Sequence, residues 1–177
     1  MIPVRTSGVN LQSDEMTAPG ESDNARTVAS HPKLVRALER LETADLESAC
    51  AAPSPPELAR AIQEFNAGEF FDQHETLELL WRATPGEIRH LYEGILQVGV
   101  GMHHLFKNHN FHGAVVKLDH GIQLLSAFPV VCHGVDVARL RRDAARARTV
   151  LLELGPEGME RFPQDLTPRV HLSGDQT

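Results

Sequence analysis

Apolar residues recur at three- and four-residue steps through most of the chain between residues 31 and 155. This spacing is typical of amphipathic helices, and no run of alternating apolar and polar residues is long enough to indicate a sheet. The pattern predicts an all-α protein, a compact antiparallel helical bundle or array of about five to six helices joined by short links.

Proline, glycine and capping residues set the boundaries of the predicted helices. The helices run over about 33–48, 56–66, 69–83, 85–107, 111–128 and 136–154. The helix over 85–107 is apolar on most sides, which predicts a central, buried position. Thr84, followed three residues later by Glu87, has the form of a capping box and predicts where that helix begins.

The two ends of the chain differ from the middle in composition. Residues 1–30 are rich in Ser, Gly, Pro, Asp and Asn, and the last dozen residues are similar. Such segments bury too little apolar surface to offset the entropy lost on ordering. We therefore expect a disordered arm over 1–30, one helical domain over 31–155 and a flexible tail over 156–177.

Charge and composition narrow the function. The chain has 17 Lys and Arg against 24 Asp and Glu, a net charge of −7, which makes nucleic acid an unlikely main partner. The basic run over 139–148 is an exception, for which a solvated helix face is the default explanation and a nucleic-acid adaptor the alternative. No uncharged stretch is long enough for a bilayer span, and the first 30 residues lack the apolar core of a secretory signal. We expect a cytoplasmic protein without a membrane partner.

The two cysteines carry little signal. Cys50 and Cys132 each lack a Cys-x-x-Cys partner and an activating neighbour. Buried free thiols are the expectation.

The helix predicted over 69–83 carries polar groups within an aromatic arc. At about 100° per residue, Glu78 lies near +40° and Trp81 near −20° from His74, and Phe71 lies near +60°. His74 and Glu78 are therefore expected to be buried together or to line a cleft. Trp81 is expected in the core, with its indole N–H directed to an acceptor.

The helix predicted over 85–107 offers partners for them. Gln97 and His104 share an arc with His90 and Glu93, and Gly94 and Gly101 lie on the same side. Since glycines let another backbone approach closely, we expect the helix over 69–83 to pack there. His103 lies about 100° from His104, so only one of these imidazoles is expected in the site.

This arrangement favours a divalent metal or small-ligand site. His74 and Glu78 are one turn apart, and His104 from the neighbouring helix would complete a three-ligand set with an open position for water. Glu75 is the candidate general base, Gln97 and Trp81 are candidate ligand contacts, and any enzymatic activity would be a metal-assisted hydrolysis at most. The alternative is a structural or interaction module, in which the polar cluster only specifies packing.

Three blocks of residues in this order also carry a family resemblance. They are Phe65, Asn66, Gly68, Phe70, Phe71, His74, Glu75, Glu78 and Trp81; then Tyr92, Gly94, Ile95, Gln97 and His104; then Asn110, Gly113, Ala114, Lys117 and Leu118. Over about residues 58–128 the chain resembles the domain-of-unknown-function 309 family. The resemblance implies a compact all-helical domain and adds Asn110 to the candidate ligand contacts, but it implies no activity.

Overall fold

The computed structural model describes residues 31–174, so the predicted N-terminal arm lies outside the described residues. The described chain forms seven α-helices, which are α1 (Pro32–Leu41), α2 (Leu46–Ala51), α3 (Pro56–Ala67), α4 (Phe70–Ala83), α5 (Arg89–Phe106), α6 (Phe111–Ser126) and α7 (Val137–Leu154). A short hairpin, β1 (Val131–Cys132) and β2 (Val135–Asp136), joins α6 to α7, and 3-10 helices follow at Pro156–Arg161 and Gln164–Leu166. The predicted all-α class is confirmed, with seven α-helices in these residues instead of five to six.

The first predicted helix is two helices. α1 ends at Leu41, and the Asp45 side chain accepts a hydrogen bond of 3.1 Å from the backbone N–H of Ser48 at the start of α2. Aspartate is a strong N-cap because its carboxylate satisfies a free N–H of the first turn. That cap lies within the apolar pattern, which continues across the break.

The predicted capping box at Thr84 is wrong. Thr84 ends α4 instead, and its hydroxyl donates a 2.7 Å hydrogen bond to the Leu80 carbonyl. The chain then turns through Gly86, whose φ is +74°, and α5 begins only at Arg89. The hydroxyl bonds backward along the chain, a competing use that threonine offers near helix ends.

Helix α5 is the centre of the bundle, as predicted. It packs against α4 on one side and α6 on the other, and it contributes Leu91, Ile95, Val98 and Met102 as fully buried side chains. Burial of this kind is the main favourable contribution to folding.

The glycine side of α5 faces a different helix from the one predicted. A Cβ at Gly94 would lie 2.9 Å from Leu125, and one at Gly101 would lie 2.9 Å from Leu118, both on α6. The expectation that α4 packs on these glycines is therefore wrong. α4 instead approaches Gly99, where an added Cβ would overlap the amide of Gln73.

The segment after α7 packs on the bundle up to residue 174, unlike the flexible tail expected from its composition. Met159, Phe162 and Val170 are buried. The Asn66 amide clamps Val170: its Nδ2 donates to the Val170 carbonyl over 2.8 Å, and its Oδ1 accepts from the Val170 N–H over 2.9 Å. The three buried apolar side chains and the hydrogen bonds to the Val170 backbone hold this segment in place, although its average composition is polar.

The cysteines form a disulfide. Cys50 at the end of α2 is bonded to Cys132 in β1, 82 residues away in sequence. The expectation of free thiols is wrong because the partner is close only in the folded chain, where local spacing gives no signal.

Candidate functional site

One side of α4 is half-buried. His74, Glu78 and Trp81 flank the fully buried stripe that contains Leu77. The predicted arc therefore lies at the edge of the core, and Phe71 beside it is 59% exposed. Polar groups in this position remain accessible to a ligand.

A cavity opens between the first turns of α4 and the last turns of α5. Its volume is about 210 Å³. We call it the imidazole cavity, and its lining residues are Phe70, Phe71, His74, Val100, His103 and His104. The structure thus brings His74 and His104 to one place, whereas Glu78 and Gln97 of the predicted set do not line the cavity.

The prediction that only one of His103 and His104 enters the site is wrong, because both line the cavity. The ring centroids of His103 and Phe71 are 6.4 Å apart. Two neighbouring residues about 100° apart can border the same cavity from its two sides when the cavity is wide enough.

His104 presents an uncharged imidazole. The Asn108 amide nitrogen, which only donates, lies 3.3 Å from Nδ1 of His104, so that Nδ1 accepts and the proton is on Nε2. Burial first, then the charges of Lys117 and His103, lower the pKa of His104 below its ordinary 6.5. At neutral pH the ring therefore has an Nε2–H that can donate to a ligand.

The predicted metal-ligand set does not assemble. Glu78 forms an ion pair of 2.6 Å with Arg82, one turn along α4, and it does not line the imidazole cavity. Across residues 31–174, no three His, Cys, Asp or Glu side chains lie close enough together to hold a metal ion. The predicted ligands His74, Glu78 and His104 therefore do not converge on one point in this structure, and their metal role stays a prediction.

Glu75 lies on the exposed side of α4, outside the residues that line the cavity. Nothing in this position directs its carboxylate toward the imidazoles. The structure does not bring the candidate general base together with the other predicted site residues.

Gln97 and Trp81 are half-buried between helices. The amide oxygen of Gln97 and the indole nitrogen of Trp81 are buried and form no hydrogen bond with the described residues. Trp81 packs against the core as expected. Neither residue lines the imidazole cavity.

Sequence reasoning missed Gln73. Its side chain is fully buried, and both of its amide atoms lack a hydrogen-bond partner among the described residues. The available signal was its spacing, since Gln73 lies in the same apolar stripe of α4 as Phe70, Leu77 and Leu80. An unpaired buried amide is uncommon in folded proteins.

Asn110 has a structural position. It is the N-cap of α6, where its side chain accepts a 2.9 Å hydrogen bond from the Gly113 N–H. Its own backbone N–H donates to the His104 carbonyl over 2.9 Å. Asn110 thereby fixes the link that follows His104 and does not itself line the cavity.

The other polar half of the predicted arc belongs to a separate cluster. His90 is 3% exposed, with Nδ1 2.6 Å from Glu93 and Nε2 3.1 Å from Glu87. Arg40 of α1 contacts Glu87 over 3.1 Å. This network links α1 to the start of α5. His90 and Glu93 therefore belong to it and not to the cavity that His104 lines.

One part of the chain, which includes the residues around the cavity, matches a known protein family. Residues 58–116 match the family model DUF309, a domain of unknown function. No curated protein and no solved structure matches the chain. The matched segment runs from α3 into α6 and contains every residue that lines the imidazole cavity.

None of the helices in residues 31–174 is long and apolar enough to cross a membrane.

Proposed function

We propose that this chain, whose residues 58–116 match the family model DUF309 of unknown function, binds a small planar organic molecule in the imidazole cavity. The single observation that carries the proposal is the meeting of two phenyl rings and three imidazoles around one opening. Ligand sites are typically apolar concavities with a few well-placed polar groups.

The lining favours a flat, unsaturated ligand. Phe71 keeps more than half of its surface exposed beside the half-buried imidazoles. Aromatic rings gain from offset or edge contacts with other rings beyond the burial of area alone. Stacking on Phe71 or His103 would cover this surface.

The polar contact comes from His104. Its uncharged ring offers Nε2–H as a donor, since Asn108 occupies Nδ1. A ligand with a carbonyl or pyridine-type nitrogen would accept this hydrogen bond. The cavity of about 210 Å³ is smaller than the roughly 300–1,000 Å³ of drug-sized sites, which favours a single-ring compound.

The alternative, in which the polar cluster only specifies packing, has its own support. Gln73, Trp81 and Gln97 place buried polar atoms on α4 and α5, and buried polar groups can fix a unique arrangement of helices. These residues lie outside the cavity lining. The two functions therefore concern different residues and can be tested separately.

The test measures binding of nicotinamide, a single-ring amide with a pyridine nitrogen. Binding is monitored by the fluorescence of Trp81, the only tryptophan, and by changes in the NMR shifts of the histidine rings. We expect Phe71→Ala and His104→Ala to weaken binding about tenfold, equivalent to roughly 1.4 kcal/mol. The control is His112→Ala, an exposed position on α6, which should bind like the unchanged protein.

The packing alternative predicts another result. In that case Phe71→Ala would leave the nicotinamide shifts unchanged, and Gln97→Ala would lower the melting temperature without changing binding. Absence of ring shifts in the unchanged protein at millimolar nicotinamide would contradict the proposed ligand class.

A further inference from the structure

We propose a second, separate binding site for a phosphate-bearing small molecule, in a cleft between α7 and the C-terminal segment. The cleft has a volume of about 230 Å³. We call it the arginine cleft, and its lining includes Arg139, Asp143, Arg146, Asp165, Arg169 and His171. The arginine cleft itself shares no lining residue with the imidazole cavity.

Helix α7 supplies one wall. Arg139, Asp143 and Arg146 are spaced at i, i+4 and i+7, so that they lie on one side of the helix. Leu140, Ala144 and Leu151, about 100–140° around α7 from Arg139, are buried in the core. The helix is therefore held firmly, and its basic side faces the cleft.

The C-terminal segment supplies the other wall. Val170 is buried and clamped by Asn66, and an extended pairing joins Val135 to Leu172. Because side chains alternate along an extended segment, Arg169 and His171 lie on the side opposite Val170. The Asp136 N–H donates to the His171 carbonyl over 2.9 Å, which fixes this segment at the start of α7.

The charges of the cleft are unbalanced. Its three arginines face two aspartates, on a chain whose net charge is −7. Arg139 lies 4.0 Å from Asp143, whereas Arg146 and Arg169 form no ion pair with any residue of the described chain. Arg146 and Arg169 thus line one opening without an ion-pair partner among the described residues, and their planar guanidiniums match phosphate oxygens.

A neighbouring cavity gives room for the rest of the molecule. Its volume is about 490 Å³, and it shares Thr167 and Arg169 with the arginine cleft. Phe65, Phe106 and Lys107 also line it. A ligand with its phosphate beside Arg146 and Arg169 can therefore extend an apolar ring over Phe106, which points to an aryl phosphate monoester as the ligand class.

The experiment measures binding of phenyl phosphate and of inorganic phosphate to the full chain by calorimetry at constant ionic strength. We expect phenyl phosphate to bind more tightly than inorganic phosphate. Arg146→Gln and Arg169→Gln should each weaken binding of both probes about tenfold. Arg169→Lys should lose part of the affinity, because the charge stays and the fork is lost.

Arg142→Gln is the matched control. Arg142 is on α7, is exposed, and lies outside the cleft lining, so its loss removes the same charge and should change the affinity less than twofold. Melting curves of each variant show that the fold is kept, and the Arg169→Lys comparison stands if either glutamine variant fails to fold.

Four results would overturn the proposal. The first is no detectable binding of either probe at concentrations up to about 10 mM. The second is an equal loss in Arg142→Gln, which would indicate a general field effect. The third is equal affinity for the two probes. The fourth is binding of the protein to an RNA or DNA oligonucleotide without any binding of phenyl phosphate.

Discussion

The hydroxyl of Tyr92 lies 2.9 Å from Nδ1 of His133, and both side chains are buried. On the other side of the imidazole, Nε2 lies 3.0 Å from the Ala49 carbonyl, which only accepts. The proton of His133 is therefore on Nε2, and Tyr92 donates to Nδ1. This relationship joins the central helix α5 to the end of α2, next to the Cys50–Cys132 disulfide.

Replacing Tyr92 with phenylalanine tests the hydrogen bond. Tyr92→Phe leaves Nδ1 of His133 buried without a donor, which costs about 1–3 kcal/mol. Urea unfolding should show the loss of stability with an unchanged slope. Equal stability of Tyr92→Phe and the unchanged protein would contradict the geometry.

The buried phenol also predicts a loss of stability at high pH. Burial first, then the charge of Glu57, raises the pKa of Tyr92 from 10 to about 12. The unfolded chain releases this proton at lower pH than the folded chain, so stability should fall as pH rises from about 10 to about 12. Tyr92 is the only tyrosine, so ultraviolet absorbance reports its ionisation directly.

If Tyr92 ionised completely below pH 10.5 while the protein was still folded, that result would contradict the burial of this phenol. Circular dichroism recorded on the same samples separates ionisation in the fold from ionisation after unfolding.

The disulfide should contribute a large share of the stability. It closes a loop of 82 residues, for which removal costs about 3–5 kcal/mol. Cys50→Ser with Cys132→Ser, or reduction by dithiothreitol, should lower the urea midpoint accordingly. Two thiols reacting with Ellman's reagent in denatured, unreduced protein would show that the bond had not formed.

Removing the charge of Lys117 should change two histidines together. Lys117 lowers the pKa of His104 and of His120, in each case second to burial. Lys117→Gln should therefore raise both pKa values in an NMR titration of the rings. Unchanged pKa values of His104 and His120 in Lys117→Gln would contradict the electrostatic effect of Lys117.

The lowered pKa values of His104 and His120 also determine how the stability of the fold changes in acid. Because His104 and His120 hold lowered pKa values, the unfolded chain takes up protons at higher pH than the fold does. Stability should be full above about pH 6.5 and should decrease as pH falls below it. Lys117→Gln should make that decrease smaller.

The clamp on the C-terminal segment can be opened by one substitution. Asn66→Ala removes both hydrogen bonds to Val170 and should cost about 1–3 kcal/mol. Limited trypsin digestion should then cleave faster after Arg169. Asn108→Ala, which alters an exposed asparagine, is the control, and equal cleavage rates would contradict the clamp.

Most helices could be predicted because their signals are local. α3, α4, α6 and α7 follow from apolar spacing bounded by proline, glycine and asparagine, within a few residues. Two ends were missed where a polar side chain had two possible uses: Asp45 caps α2, and Thr84 bonds backward to Leu80.

The site was predictable in part. His74 and His104 line one cavity, although the predicted packing of α4 on Gly94 and Gly101 that was to bring them together is wrong. Glu78 pairs with Arg82 instead, at the i+4 spacing that favours ion pairs. Whether Glu78 faces the imidazoles or Arg82 depends on the rotation of α4 against α5. In the structure that rotation places the Gln73 amide against Gly99, a packing detail without a sequence signature.

Long-range pairings were not predictable. The disulfide joins residues 82 apart, and the Asn66 clamp joins residues 104 apart. In one sequence such pairs have no common periodicity, since only the folded chain brings them together. The C-terminal segment was expected to be flexible from its composition, and the Asn66 clamp that holds it leaves no local signal in the sequence.

The packing of α6 on the glycines of α5 bears on where a laboratory fragment of this protein can begin and end. The segment that matches the family model stops at residue 116, inside α6, and so omits Leu118 and Leu125, which cover Gly101 and Gly94. A fragment cut at those limits would expose the apolar surface of α5 to water and to other copies of itself. Aggregation of such a fragment would reflect the position of the cut, and an autonomous unit must extend at least through the end of α6.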